Sequence, residues 1–305
     1  MNPPQLSFAW WNTSFKAPVI SVNKINHKAL LRAWFLFCHL DDLLNLDFIA
    51  FGEVNNDFMA QIDPMLTHSG FKGIDASGRD GRITNDIGIF YKTETLELID
   101  HESIIKPHYS GRLKIATLFR FNIKATVEPI YFFVAHWPSK LSRPELGRDE
   151  LGIALRDYID EIFEEEGYNA KIIIIGDFNN EPFEEPIYDK LRATRDRKLL
   201  LTKPFFLYNP FWRTLGGPAP YCGRSEVSPC HGTYYLKTSQ HVTKWFTFDQ
   251  IIVSSAFLGH GDWHLAEGLT TVLSYDNSSI LGAEFFKDHD HLPIYGKVEK
   301  YEQNT

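Results

Sequence analysis

Cysteine is scarce in this chain: Cys38, Cys222 and Cys230 are the only three in 305 residues. So few, and an odd number, cannot staple a disulfide scaffold and fit a reducing compartment. Long apolar runs are missing as well. No stretch approaches the roughly 20 residues needed to cross a bilayer. The opening MNPPQLSFAWWNTSF has no basic segment followed by an apolar one, so a cytoplasmic location is the expectation. There is no internal repeat and no low-complexity tract. Nor is there an excess of positive charge. With 31 Lys and Arg against 39 Asp and Glu, the net charge of -8 argues against capture of nucleic acid by overall electrostatics.

What is present is globular. Hydrophobic residues at 44% and charged residues at 23% supply a sizeable core and exclude global disorder. The length suits either two ordinary domains or one large one. No linker-like segment interrupts the chain, which favours one domain over residues 1–305.

Charge is distributed unevenly. Residues 145–189 hold 14 acidic and 3 basic side chains, whereas residues 190–248 hold 10 basic and 2 acidic ones. The basic segment also carries 11 aromatics, among them Phe205, Phe206, Trp212, Tyr221, Tyr234, Tyr235 and Trp245. Such a mixture can stack bases and hold phosphates. It is equally what strands and loops with ordinary core aromatics look like.

Seven short apolar runs, β-branched or aromatic, predict strands: Leu6–Trp11, Phe48–Phe51, Ile87–Tyr91, Ile115–Phe121, Ile130–Ala135, Ile172–Ile175 and Phe248–Val253. Helical spacing appears over Lys28–Leu46, and again over Arg148–Glu166, where Leu151, Leu155, Ile159 and Ile162 recur every three or four residues. Alternating helices and strands, with a hairpin-like succession from Ile87 to Ala135, predict an α/β fold with mixed sheets covered by helices. Thr202–Ser239 is punctuated by prolines and glycines and reads as a long loop. Loops of this length usually carry function, so substrate selectivity is expected there.

Acids and amides recur at strand ends: Asn12, Glu53, Asp177, Asn179, Asp249 and Asp290. Each alone has an ordinary explanation as a cap or turn residue. Converging together, they would repel one another unless a hard cation neutralised them, and Mg2+ prefers oxygen ligands of this kind. In IIIIGDFNNEP, four isoleucines predict a buried strand that delivers Asp177 and Asn179 to one side of an extended chain. His136 also follows a hydrophobic strand, where an imidazole can donate to a phosphate. Cys222, Cys230 and His231 fit no zinc spacing and read as reduced loop residues. Arg143, Lys140 and Arg148 could touch phosphate or simply be solvated.

In order along the chain, Asn12, Glu53, His136, Asp177-Phe178-Asn179, Asp249 and Asp290-His291-Leu292-Pro293-Ile294 resemble the endonuclease/exonuclease/phosphatase superfamily over positions 6 to 298. HWPSK after the His136 strand, Gly111-Arg112 opening another strand and FDQIIVSS add to the match. The resemblance implies a four-layer α/β sandwich of two packed mixed sheets flanked by helices, with the active site at one edge. It implies Glu53 as principal metal ligand supported by Asn12 and Asp290. It further implies Asp177 and Asn179 positioning water or a second metal, His291 oriented by Asp249, and His136 assisting the phosphate. Arg112 and Lys140 become candidate substrate contacts. Two Asp-His pairs stand in Asp288-His289-Asp290-His291, and the second fits because Leu-Pro-Ile follows it.

These expectations converge on a Mg2+- or Mn2+-dependent phosphodiesterase, foremost a nuclease with DNA or RNA as its partner. The alternatives are a phosphoesterase for a small metabolite or phospholipid head group, and a non-catalytic module retaining the fold.

Overall fold

The computed structural model describes residues 3–15, 27–67, 69–81, 83–109, 111–140, 147–216, 232–238, 241–273 and 285–301. Cys222, Cys230, His231 and Arg143 lie outside the described residues, as does the middle of the loop expected at Thr202–Ser239. The principal elements are, in chain order, β1 (Gln5–Asn12), α1 (His27–Leu44), β2 (Phe48–Gly52), α2 (Asn56–Thr67), β3 (Phe71–Asp75), β4 (Gly88–Lys92) and β5 (Leu96–His108). They continue with β6 (Gly111–Ile123), β7 (Glu128–His136), α3 (Arg148–Glu166), β8 (Ile172–Asp177), β9 (Asp249–Ser254) and β10 (Ile294–Lys300).

One sheet runs Trp263–Leu265, β10, β1, β2, β4, β3, with Thr271–Val272 also paired to β10; the other runs Ala193–Thr194, Leu207–Tyr208, β9, β8, β7, β6, β5. Both are mixed: β1 pairs in parallel with β2, and β7 with β8, while their other neighbours are antiparallel.

The period-two geometry of a strand decides the layers. Ile173 and Ile175 of β8 enter one core with Phe8, Phe48 and Phe132, whereas Ile172 and Ile174 enter another with Leu151, Leu155 and Ile159 of α3. A run apolar on both faces is what a doubly covered strand needs. Phe48 of one sheet stacks on Phe132 of the other with centroids 4.2 Å apart, so the first core lies between the sheets. On the far side of the first sheet, Phe37 of α1 meets Phe71 and Phe58 of α2 meets Phe51. The result is four layers: helices, sheet, sheet, helix.

Four of these elements, α2, β3, β5 and β10, went unread in the sequence, and two of them show why. In α2, Pro64 interrupts the apparent helical pattern, yet Asn55 caps the start by accepting from the Phe58 amide at 3.0 Å and Phe58, Met59, Ile62 and Leu66 are buried. Strand β5 is an edge strand with mostly exposed residues, so its sequence LELIDHESIIKPH carries no clean alternation. No described helix is long and apolar enough to cross a membrane.

Candidate active site

Register brings the predicted site residues to one edge of the sandwich. In the first sheet Asn12, the last residue of β1, pairs with Gly52, and Glu53 follows directly. In the second, Asp177 at the end of β8 is flanked by His136 at the end of β7 and by Asp249 at the start of β9. Strand β10 begins at Ile294 opposite Trp10, so Asp290 and His291 precede it at the same edge. Gly176 permits this tight pairing: its φ is 152°, and a Cβ there would sit 1.8 Å from the Ala135 carbonyl oxygen.

Asp177 is the hub. Its Oδ2 accepts from Asn12 Nδ2 at 3.1 Å and faces two imidazoles, His291 Nε2 at 3.7 Å and His136 Nε2 at 3.9 Å. Both gaps exceed a direct hydrogen bond and leave room for a bridging oxygen. Its Oδ1 accepts from the Asn179 amide at 2.8 Å. The chain does not stay extended here, as the strand pattern suggested; it turns at Asn179, whose φ is 49°, and the side-chain Nδ2 donates to the Trp137 carbonyl.

Each histidine has its own carboxylate. His291 Nδ1 lies 2.7 Å from Asp249 Oδ2, and Trp10 Nε1 donates to Asp249 Oδ1 at 2.7 Å. His136 Nδ1 lies 2.8 Å from Asp86 Oδ2, whose other oxygen takes Lys114 Nζ at 2.6 Å. Asp86 was missed in the sequence, where it stands in the turn ITNDIG with no motif around it. His289 is not the equivalent of His291: it is fully buried, its Nδ1 meets the Thr13 carbonyl at 2.8 Å, and Trp11, Phe15 and Phe285 surround it.

Burial and charge together set the protonation states. Burial opposes the His291 cation, but Asp249 and then Asp177 outweigh it and hold the imidazole up at about 10. Burial likewise opposes the His136 cation, and Asp86 reverses the balance upward. Desolvation raises Asp177. Asp86, although buried, is held well below the usual carboxylate range by His136 and Lys114.

Further oxygen-bearing side chains belong to this edge. Ser14 Oγ donates to Asp290 Oδ1 at 2.5 Å, and the Ser14 amide donates to Asn12 Oδ1 at 3.1 Å. Burial, followed by the charges of Asp290, Asp177 and Glu53, raises the Tyr234 hydroxyl to about 12. Ser14, Glu53 and Asn179 all have left-handed backbones with φ near 59°, 58° and 49°. A non-glycine residue pays roughly 1–2 kcal/mol for that conformation, and such strain gathers where side chains must be aimed.

One ligand atom each from Asp177, Asp249 and His291 lies within 4.8 Å of the others, a spacing a metal could use. Asp249, however, has a donor on each oxygen, and His291 Nδ1 is taken by it. That trio is a charge-paired imidazole between two carboxylates. Glu53, Asn12 and Asp290 offer only oxygen to a hard divalent cation; Asn12 Oδ1 and Asp290 Oδ1 accept from Ser14.

Around the centre, Arg112 lines a cleft of about 250 Å3 with Asp86, Lys114, His136 and Ser139. Lys140 Nζ is held by both oxygens of Glu184, at 2.5 and 2.6 Å. Arg148 donates to the Pro138 carbonyl and so braces the loop after His136. Several bases of the segment 190–248 have structural partners: Arg192 and Arg195 lie over the rings of Phe205 and Trp212, and Arg197 and Arg213 reach Glu267.

Comparison with solved structures places the fold. The chain superposes on the human Nocturnin catalytic domain with bound sulfate with a TM-score of 0.63 and 17% identity, covering 98% of this chain and 96% of that one. TDP2 of D. rerio, complexed with single-strand DNA product, gives 0.56 and 15% over 97% and 99%. A mannosyl-6-phosphatase of Bacteroides thetaiotaomicron gives 0.56 and 16% over 97% and 100%. A search of curated proteins by sequence finds no match. Residues 42–291 match the profile of the Endonuclease/Exonuclease/phosphatase family, a span from the end of α1 to the imidazole paired with Asp249, and the chain therefore belongs to that family of divalent-metal-dependent phosphoester hydrolases.

Proposed function

We propose that the protein is a Mg2+- or Mn2+-dependent phosphodiesterase acting on nucleic acid, within one domain spanning the chain. The observation that carries this is the convergence on Asp177 Oδ2 of two imidazole Nε2 atoms, each backed by its own carboxylate. A phosphodiester is shielded by its own negative charge, so hydrolysis needs charge withdrawal, a placed water and support for the departing oxygen.

Glu53, Asn12 and Asp290 would hold the cation, which supplies charge withdrawal from the phosphate oxygens. Asp177, with Asn12 and Asn179 fixing its carboxylate, orients the attacking water through Oδ2. His291, charged through neutral pH by Asp249, donates from Nε2 to a non-bridging oxygen. His136, kept in place by Asp86, donates to the phosphate or to the leaving oxygen from the opposite side of Asp177. Arg112, beside His136 in the same cleft, contacts the next phosphate.

A small phosphorylated molecule is the second reading. It is favoured by the pairing of Lys114 and Lys140 with Asp86 and Glu184, which weakens a cationic track for a polymer. The test is incubation of the purified protein with plasmid, single-stranded DNA and RNA in Mg2+, Mn2+ or EDTA. Cleavage in the metals that EDTA abolishes supports the nuclease. Phosphate release from small phosphoesters, with every polynucleotide intact, moves the assignment to the second reading.

A further inference from the structure

The mechanism above leaves a second cleft unused. It holds about 530 Å3, within the roughly 300–1,000 Å3 typical of small-ligand sites, and opens beside Asn179. One wall is Tyr234, Trp245 and Phe246, from the paired strands Tyr234–Tyr235 and Trp245–Phe246, together with Phe248; Phe183, 51% exposed, stands among the lining residues from the chain after β8.

The rings of that wall form a continuous series beginning at the catalytic imidazole. Tyr234 lies 4.7 Å from His291, Phe248 stacks on Tyr234 at 5.4 Å with planes 21° apart, and Phe246 stacks on Phe248 at 5.0 Å. The hairpin is pinned to the catalytic segment, because the Tyr235 amide donates to the Asp290 carbonyl and the Leu292 amide donates to that of Thr233. Its position relative to the scissile phosphate is therefore set by backbone bonds. The cleft is also not purely apolar: Asn179, Glu181 and Thr243 line it, and Glu181 is anchored by the Thr247 amide at 3.0 Å. An acyl chain has no use for these polar groups. A flat heteroaromatic ring with donors and acceptors on its edge uses both the faces and the rim.

We propose that this cleft takes the base of the nucleotide adjoining the scissile phosphate, and that the enzyme in consequence cuts strands whose base at that position is unpaired. The proposal rests on the phosphodiesterase reading and adds a strandedness to it. A base seated among Phe183, Trp245 and Phe248 cannot at the same time be stacked and paired in a duplex, so a duplex must first pay for extrusion. Aromatic stacking of a base contributes about 1–3 kcal/mol, which corresponds to roughly 5- to 150-fold in binding.

The experiment compares three oligonucleotides of one sequence: single-stranded, single-stranded with tetrahydrofuran abasic sites throughout, and fully paired. Initial rates are measured in Mg2+ and equilibrium binding of the labelled strands in EDTA. The expected result is a kcat/KM at least tenfold higher for the base-bearing single strand than for either other substrate, and the same order of binding without metal. Trp245→Ala and the exposed Phe183→Ser should both bring the base-bearing to abasic ratio towards one, chiefly through KM. Equal cleavage of base-bearing and abasic strands overturns the cleft proposal and leaves the phosphodiesterase intact. Base-dependent binding in EDTA with no cleavage of any strand overturns the proposed function and supports the cleft. Neither binding nor cleavage overturns both.

Discussion

His291 Nδ1 and Asp249 Oδ2 are 2.7 Å apart although 42 residues separate them, and the second oxygen of Asp249 is occupied by Trp10 Nε1. Asp249 is fully buried, so its carboxylate cannot swing away to serve another partner. Asp249→Asn keeps the shape and removes the charge. We expect turnover to fall by about 10²–10⁴-fold, the usual range for a misoriented acid–base group. The pH profile supplies a separate check. An imidazole raised to about 10 stays charged below that pH and loses the proton above it, so activity that needs the cation declines on the alkaline side. Without the Asp249 charge that alkaline limb should move to lower pH; a limb that stays in place would show that His291 is not the titrating donor.

Asp86 offers a second test of pairing. It touches His136 at 2.8 Å and Lys114 at 2.6 Å, and it lines the cleft that also contains Arg112. Asp86→Asn leaves His136 free to rotate and Lys114 without its counter-charge. Turnover should drop about 10- to 100-fold, the loss common when an orienting partner is removed, while circular dichroism stays native. Lys114→Met, which spares the His136 contact, should cost less.

The contrast between these two carboxylates explains what sequence could and could not reveal. Asp249 was legible because it opens an apolar strand, FDQIIVSS, and because family motifs surround it. Asp86 sits in a turn between short strands, and its partner lies 50 positions away, so nothing local marks it. The same logic holds for the fold. Strands buried on both faces, such as β8, announce themselves as runs of β-branched residues. The edge strand β5 and the Pro64-bearing α2 do not, because exposure or a helix breaker erases their period. Sequence also put Asp177 and Asn179 on one side of an extended chain, whereas Asn179 is left-handed and makes a local bond from its amide to Asp177 and a tertiary one from its side chain to the Trp137 carbonyl.

Glu53 is where the cation assignment is most exposed to test. Glu53→Gln keeps the volume and removes one negative charge from the proposed cation ligands. Calorimetric titration with Mn2+ should show affinity reduced about 100-fold or more, since even outer partners of a metal contribute 10- to 100-fold. The loss of turnover should be at least as large as for His136→Ala, because the cation contributes several kcal/mol against the 10²–10⁴-fold of an acid–base group. If Asp249→Asn abolished Mn2+ binding while Glu53→Gln did not, the ion would belong to the Asp177, Asp249 and His291 trio instead.

Stability at acid pH depends on a group far from the chemistry. Glu128 opens β7, whose other end is His136, and it ties the two sheets together: Oε2 takes Trp263 Nε1 at 2.9 Å and Lys300 Nζ at 3.0 Å, while Oε1 meets Lys171 Nζ at 3.2 Å. Burial alone would raise this carboxyl, but Thr126, Trp263 and Lys300 beside its oxygens and the Lys171 charge hold it down at about 2. A depressed acid contributes stability above its unfolded value of 4.5, and the contribution is lost as pH falls towards 2. The group is partly solvated, so its worth at neutral pH is near the about 1 kcal/mol of an exposed ion pair. Glu128→Gln should therefore lower the urea midpoint slightly at pH 7, flatten the decline of stability between pH 4.5 and 2, and leave kcat at 25 °C unaltered. A midpoint with the same acid dependence as the unsubstituted protein would assign that decline to other carboxylates.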